Sequence, residues 1–432
     1  MQPPRHTPSN SNSQNIPGLE RPATAFLSYA RLDAEEVRYL QQQLNVRGVR
    51  AWRDVTDLPL GGATEGEIIY AIEQIADAFV LYVTPQVLAS HFIWDIEVPS
   101  ALHRWEQDHA FNVVPILRGV TFDELEQHCA AHGLLSLKAF NGVSLPEKAG
   151  GATEEEFNRQ LRLVARRILE ATLDLRLRRA GADRKYEPCL CFQTYGYEPP
   201  TDSLDLDLNW AGLFPSKDEL PAEKEWDEIL LPALDDVKNV LSTKIPGRRL
   251  HMFVQAHLPA AFALGFAFPA SAHFVFLIEG RHGTWSTEGA VSTGEPLHYL
   301  SYKHSGDAHV AVMEIAIARD TAQAVTQNLP SLGLSYKQRV HFDLPGGTDY
   351  ISGVEDAANA LAMSHQVGRE FRRLFDKEDI THVHLFAAVP AALSVMIGHQ
   401  INAMGAITLY HYLEKDKRYV LIYTLGKQQR SI

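Results

Sequence analysis

At 432 residues the chain is long for a single core, so about two or three domains are expected. Its 45% hydrophobic and 22% charged residues describe a globular protein with a packed interior. A formal net charge of −13 argues against the broad basic face that a long nucleic acid requires, yet leaves room for a small nucleotide held by a few local donors.

Residues 1–21 are rich in Pro, Ser, Asn and Gln and lack an apolar core, which predicts a disordered tail and no signal peptide. From Thr24 onward, short apolar strands alternate with amphipathic helices. Ala25–Ser28 reads as the first strand, Ala34–Asn45 as a helix and Val49–Trp52 as a second strand. Glu65–Ile75 follows as a helix, and Ala78–Val83 is a continuous apolar run of the kind buried on both sheet faces. Another strand, Phe111–Leu117, precedes a long helix from Thr153 to about Arg178. That helix carries Phe157, Leu161, Val164, Ile168 and Leu175 on one face, with arginines on the other that read as a solvated face or a domain joint. The alternation predicts a parallel α/β sheet with helices on both sides over residues 22–173, and a linker at 174–185.

The second half, residues 186–432, contains an internal echo. Phe253–Ala261 and Leu385–Ala392 each run from a strand into a proline that starts a small-residue helix, with Gly265 or Gly398 inside it and a strand after it. Proline suits a first helical turn, where a backbone N–H has no partner in any case. Two related α/β units are therefore expected, at about 186–306 and 307–432.

Three cysteines, Cys129, Cys189 and Cys191, cannot form a disulfide framework, which points to a reducing cytoplasm. No apolar run is long enough to cross a bilayer, so no membrane partner is expected. His128 and His132 lie one helical turn apart, and His382 and His384 share a strand face, but neither pair has further ligands at metal spacing, so no metal is expected. Gly61-Gly62 is neither a dinucleotide fingerprint nor a phosphate loop, and no Ser-His-Asp triad is legible.

Four signals in the first half occur in a telling order: Ala25-Phe-Leu-Ser-Tyr-Ala30, Gly48-Val-Arg-Ala-Trp52-Arg53-Asp54, Leu58-Pro59-Leu60-Gly61-Gly62 and Ile93-Trp94-Asp95-Ile96-Glu97. Together they resemble a TIR (Toll/interleukin-1 receptor homology) domain, which implies a flavodoxin-like parallel sheet with its ligand at the carboxyl edge. Some members of that family cleave NAD+ at the nicotinamide–ribose bond, and others are adaptors without catalysis. In the enzymes a glutamate after the third main strand carries the chemistry, and Glu97 matches it. Breaking this bond builds positive charge on the ribose, which a nearby carboxylate stabilises, while nicotinamide leaves neutral. The family usually places tryptophan and serine four and six residues before the glutamate; Ile93 and His91 stand there, with Trp94 and Ser90 one step away. The resemblance further implies NAD+ contacts from Tyr29, Arg31, Trp52, Asp54 and Trp94, with NAD+ as substrate and no cofactor. Trp52 and Asp54 open the segment called the BB loop, which in the family often packs against a neighbouring TIR domain.

Leu258-Pro259-Ala-Ala, Val389-Pro390-Ala-Ala and the strand endings Thr408-Leu-Tyr410 and Arg418-Tyr419-Val make the second half similar to a SAVED domain. That family fuses two CARF-like, Rossmann-like α/β subdomains and senses cyclic oligonucleotides in bacterial anti-phage systems. The ligand lies across the two halves at the strand ends. Carried onto this chain, Trp210 would stack on a base, and Gln255, His257, Lys303 and Arg319 would meet base edges or phosphates. Leu258, Pro259, Val389 and Pro390 would bring helix-start N–H groups to the ligand.

The combined resemblance implies an NAD+ hydrolase switched on by a cyclic oligonucleotide, often cyclic tri-adenylate, that assembles copies into a filament or other oligomer. The alternative is a non-catalytic TIR adaptor with a nucleotide-sensing half; a third reading keeps the enzyme and gives the second half another small ligand. Ring size, linkage and bases stay open, as does the choice between ADP-ribose and a cyclised product.

Overall fold

The computed structural model describes residues 21–53, 64–146, 153–181, 186–198, 204–245, 247–280, 283–289, 295–307, 309–347, 353–401 and 405–426. In the first half, strands β1 (Thr24–Ser28), β2 (Arg50–Trp52), β3 (Ala78–Val83), β4 (Asn112–Leu117) and β5 (Val143–Ser144) form an all-parallel sheet in the order β2-β1-β3-β4-β5. Every residue of β1 and β3 is buried, as continuous apolar runs covered on both faces must be. Helices α1 (Ala34–Val46) and α5 (Glu154–Ala180) cover one face. The other is covered by α2 (Thr64–Tyr70), α3 (Val98–Gln107) and α4 (Phe122–Ala131). The long helix reaches Ala180, slightly beyond its expected end, so residues 174–180 are helical where a linker was expected, and 182–185 lie outside the described residues.

The second half holds two α/β units, but they divide before His298 rather than at the expected 306/307, because residues 298–303 pair with 338–343 in the sheet of the second unit. The first is a sheet of β6 (Cys189–Gln193), β7 (Leu206–Asn209), β8 (Arg249–Gln255), β9 (Val275–Gly280) and β10 (Gly283–Ser286), in the order β10-β9-β8-β6-β7. Only β10 runs antiparallel to its neighbour. Helices α6 (Leu231–Lys244) and α7 (Leu258–Ala267) belong to it. The second unit joins β11 (His298–Lys303), β12 (Val310–Ala316), β13 (Gln338–Asp343), β14 (His382–Ala388), β15 (Ala406–Leu413) and β16 (Arg418–Leu425) in the order β11-β13-β12-β14-β15-β16. Its edge strands β11 and β16 are antiparallel and its four inner strands parallel. Helices α8 (Ala322–Asn328), α9 (Ala357–Lys377) and α10 (Ala391–His399) complete it.

The sequence echo becomes a structural one: β8-α7-β9 and β14-α10-β15 are matching parallel crossovers, and α7 packs directly on α10. The two glycines explain how closely they pack. A Cβ on Gly265 would lie 2.0 Å from the Val395 carbonyl oxygen, and one on Gly398 would lie 2.3 Å from that of Phe262. Only hydrogen fits at either point, so the backbones of the two units touch.

The first half sits on the second through a buried polar junction. The Arg176 guanidinium of α5 is fully buried and reaches Asp77 at 3.2 Å and Asp205 at 3.5 Å. Arg47, also fully buried, pairs with Asp236 of α6 at 2.8 Å. The Asp207 N–H donates to the Gly48 carbonyl (3.0 Å), and the Ala23 N–H donates to that of Asp205 (2.8 Å), so the exposed edge strand β7 is capped by the first half. Gly48 has φ of +90° and would place a Cβ 2.9 Å from Leu206 Cβ, so both conformation and contact demand glycine. One continuous set of buried apolar side chains runs through this junction from α1 and α5 into α6 and α7. Ala23, Gly48 and Asp77 precede β1, β2 and β3, so the second half grips the amino edge of the first sheet.

Candidate functional site

The carboxyl edge of the first sheet is therefore the edge turned away from that junction. Ser28 ends β1 there and is 1% exposed. Its hydroxyl donates to Oε2 of Glu97, itself only 5% exposed. Glu97 closes a wide π-helical turn, Ile93–Glu97, that runs straight into α3, where Pro99 occupies the first turn. Such wide turns change which side chains a helix presents and recur at functional sites. The same turn leaves Asp95, the other acid of the motif, pointing outward beside His91. Glu97 is the inward carboxylate.

Four other expected NAD+ contacts are described by the structure, and three share this edge. Tyr29 is half-buried and Arg31 exposed, both directly after β1. Trp52 ends β2 with its ring stacked on Phe26 at 4.7 Å, a half-buried wall of the same edge. Trp94 requires correction: it is 2% exposed, its Nε1 donates to the Val87 carbonyl at 2.9 Å, and its ring meets His128 at 4.4 Å. The helical turn that aims Glu97 inward sends Trp94 into the core beneath α4. Asp54 and the segment Leu58–Gly62 lie outside the described residues. Asp33 adds a second carboxyl to the edge; it accepts from Thr84 Oγ1 at 2.7 Å, and burial raises its pKa.

A second candidate site lies where the two units of the second half meet. The carboxyl ends of β6, β8, β14 and β15 converge there with the starts of α7 and α10. Gln255 is exposed at the end of β8, and its carbonyl accepts from the Thr194 N–H at 3.0 Å. The Leu258 carbonyl accepts from Ser394 Oγ of α10 at 3.0 Å, tying the two helix starts together. Pro259 occupies the first turn of α7, and Val389-Pro390 lead into α10. Arg319 follows β12 and lies 3.8 Å over the Tyr412 ring while pairing with Glu414.

His257, at the start of α7, is 1% exposed. Its Nδ1 shares a hydrogen with Thr194 Oγ1 at 2.7 Å, whereas its Nε2 makes no hydrogen bond among the described residues. The Lys217 carbonyl beside it is taken by His411 Nε2 at 3.1 Å. Desolvation, helped by His411, pushes the His257 pKa down to about 4, so the ring is neutral at pH 7.

Two expected ligand contacts are misplaced. Trp210 is fully buried between Phe192 and Trp226, and its Nε1 donates to the Val46 carbonyl across the junction at 3.1 Å. It is a domain anchor with no open ring face for a base. Lys303 ends an antiparallel strand, opposite Gln338 at the start of β13, which carries it to the amino edge of the third sheet. It lines an open cavity of 890 Å³ that runs along the sheet face past Arg339 to Asp343 at the carboxyl end of β13, and no residue of the α7 or α10 starts lines it.

Sequence reading passed over Ser28, Thr194 and Arg176. A small polar residue closing a buried strand was the available signal for Ser28; for the others nothing local distinguishes the buried partner from a solvated one. Cys129 and Cys191 are buried, and burial raises the pKa of all three thiols, with Cys189 at about 12, as expected of inert structural cysteines. Among the described residues no helix is long and apolar enough to cross a membrane.

Comparison with known families agrees with both resemblances. Residues 25–161 match the TIR domain, and residues 233–425 match the SMODS-associated and fused to various effectors sensor domain, SAVED. Among solved structures, the chain is similar to an Acinetobacter baumannii Cap4 SAVED/CARF-domain containing receptor with the cyclic trinucleotide 3'3'3'-cAAA. Identity is 12%, coverage 80% of this chain and 88% of that chain, and TM-score 0.48. The same receptor with 2'3'3'-cAAA gives 12% identity, 80% and 88% coverage, and a TM-score of 0.49. A Moraxella osloensis Cap4 receptor gives 12% identity, 94% and 87% coverage, and a TM-score of 0.43. No curated protein matches the chain.

Proposed function

We propose that this chain, which is a TIR domain fused to a SAVED sensor domain, is an NAD+ glycohydrolase gated by a cyclic oligonucleotide. In this reading Glu97 is the catalytic carboxylate. NAD+ lies along the carboxyl edge with Tyr29 and Trp52 beside its rings and Arg31 near its pyrophosphate. The bond between ribose C1′ and the nicotinamide nitrogen breaks, nicotinamide leaves neutral, and Glu97 stabilises the cationic sugar until water or an adenine nitrogen captures it.

The observation that carries the reading is the position of Glu97: a buried, hydrogen-bonded carboxylate on the sheet edge where open α/β folds bind ligands, at the end opposite the sensor junction. That orientation also supports assembly as the gate. The sensor half grips the amino edge of the TIR sheet, so within one chain it stands remote from the carboxyl edge. A neighbouring copy can reach that edge, and the BB loop of one TIR domain would complete the pocket of the next. A cyclic di- or trinucleotide, cyclic tri-adenylate by family resemblance, would bind at the seam near His257 and Pro390 and favour the assembled state. It must bind that state more tightly to shift the balance. Loss of NAD+ in the cytoplasm would then stop phage replication together with the host.

The test is nicotinamide release from NAD+ by purified protein, followed across a panel of cyclic di- and trinucleotides alongside light scattering. Activity and particle size should rise together with one member of the panel. Assembly without nicotinamide release would make the chain an adaptor, and release independent of every messenger would refute the gating.

A further inference from the structure

Between β7 and α6, residues 211–221 leave one unit of the sensor and cross to the other. The crossing begins with the turn Ala211–Leu213 and buries Phe214, which is 3% exposed. Residues 215–219 are then exposed, yet the Lys217 carbonyl accepts from His411 Nε2 at 3.1 Å, and His411 lies on β15 of the opposite unit. The crossing therefore straddles the seam between the carboxyl edges of both sheets.

Phe214 stacks on the His257 imidazole, with centroids 4.8 Å apart and planes at 26°. Tyr195 stacks on the same ring at 4.2 Å and 25°. Two rings parallel to one imidazole at these distances take opposite faces, since on one face they would collide. His257 is thus the middle of a three-ring stack at the first turn of α7. Its Nε2 is buried at the seam beside the Lys217 carbonyl, which His411 Nε2 engages at 3.1 Å, so among the described residues it has no well-formed hydrogen bond of its own. A buried polar atom left in this state costs free energy that a ligand atom would recover.

We infer that residues 211–221 form a strap that keeps the sensor closed by placing Phe214 on His257, in the position that a base of the cyclic oligonucleotide takes when it binds. The inference rests on the proposed sensor function and goes beyond it by naming the group that competes with the messenger. Removing Phe214 exposes one face of His257 as a flat platform, backed by Tyr195, with Nε2 free to meet the base edge. Stacking of a base on an aromatic ring is tolerant of base identity, while the Nε2 contact supplies a directional bond. The strap is suited to leave because its crossing residues, Pro215 to Glu219, are solvated and its hold on the far unit includes the single hydrogen bond to His411. Binding and strap release are then one equilibrium, and the closed fraction lowers the apparent affinity.

The test uses the full chain with cyclic tri-adenylate as probe, measuring affinity by calorimetry and strap opening by amide hydrogen exchange. Saturating probe should increase exchange in 211–221 and protect the segment around His257. Phe214→Ala should bind roughly ten-fold tighter than wild type, because the competing ring is gone. His411→Leu, which frees the Lys217 carbonyl and replaces the ring beside His257 with an aliphatic side chain, should give a smaller gain and serves if Phe214→Ala does not fold. Probe binding with unchanged or reduced strap exchange, or with no gain in either variant, overturns the strap and leaves the sensor reading standing. Failure of wild type and both variants to bind cyclic tri-adenylate or any other cyclic di- or trinucleotide overturns both.

Discussion

Arg176→Met removes the charge at the centre of the junction while keeping much of the side-chain volume. The guanidinium is fully buried and donates to Asp77 at 3.2 Å, to the Leu204 carbonyl at 3.2 Å, to Asp205 at 3.5 Å and to the Arg21 carbonyl. Asp77 keeps Arg179 at 2.9 Å and the Thr24 N–H at 3.1 Å. Asp205 retains only neutral donors, the Tyr186 hydroxyl and the Cys189 N–H. Breaking a buried pair from one side costs about 3–5 kcal/mol, because an uncompensated charge stays behind. Arg179 offsets part of that for Asp77, and two carbonyls losing a donor add to it, so about 4 kcal/mol is expected. Equilibrium urea unfolding followed by circular dichroism measures the loss. Because one apolar core spans the junction, wild type should lose both halves together, and the variant should separate them into two transitions. Acid should partly repair the defect. Burial already holds the Asp205 carboxyl above its ordinary pKa, with Arg176 opposing, and removal of Arg176 raises it further. A carboxyl raised on folding penalises the native state above that raised value and is relieved as pH falls through it. A loss under about 1 kcal/mol, or one that grows on acidification, would refute this account of the junction.

Ser28→Ala should lower kcat for NAD+ cleavage roughly ten-fold with little change in KM, since it removes one hydrogen bond that orients the Glu97 carboxylate without touching the sheet; equal changes in both would contradict a positioning role. Gly265→Ala should destabilise the sensor by at least about 2 kcal/mol in thermal unfolding, because its methyl meets the Val395 backbone, which cannot step aside. Stability should also fall on acidification through the histidines. Burial holds His257, His384 and His399 at about 4, so each contributes stability that is complete above its unfolded value near 6.5 and is lost as pH falls towards 4. Unfolding free energies at pH 7.5 and 5 should differ by several kcal/mol in total, and a flat profile would contradict their burial as neutral rings.

The alternation of apolar strands and amphipathic helices was enough to read three α/β layers, and Pro259 and Pro390 marked two matching helix starts. Glu97 was legible because it stands after the third main strand, where the resemblance puts the catalytic glutamate, with Val98-Pro99 opening a helix directly behind it. What sequence could not reveal is which polar and aromatic side chains tertiary packing would claim. Trp94 and Trp210 look alike as candidate stacking surfaces, yet each is buried with its indole N–H on a backbone carbonyl, the usual fate of a core tryptophan. Arg176 belongs to a run of helix arginines that reads as either a solvated face or a domain joint, and only the meeting of Asp77 with Asp205, 128 positions apart in the numbering, singles it out as the buried anchor of that joint. Lys303 failed for a topological reason: periodicity does not reveal that β11 runs antiparallel and delivers its turn to the far edge. The contact of Ser28 with Glu97 joins residues from different elements, which no local pattern encodes.

Nicotinamide release by Glu97→Gln, measured against wild type with saturating cyclic tri-adenylate, bears most directly on the central claim. Wild type should release nicotinamide only when the messenger is present. The variant should assemble with the messenger as wild type does and release at least a hundred-fold less. Undiminished release from an assembled Glu97→Gln would mean that another group carries the chemistry and that the buried carboxylate at this sheet edge is only a structural one.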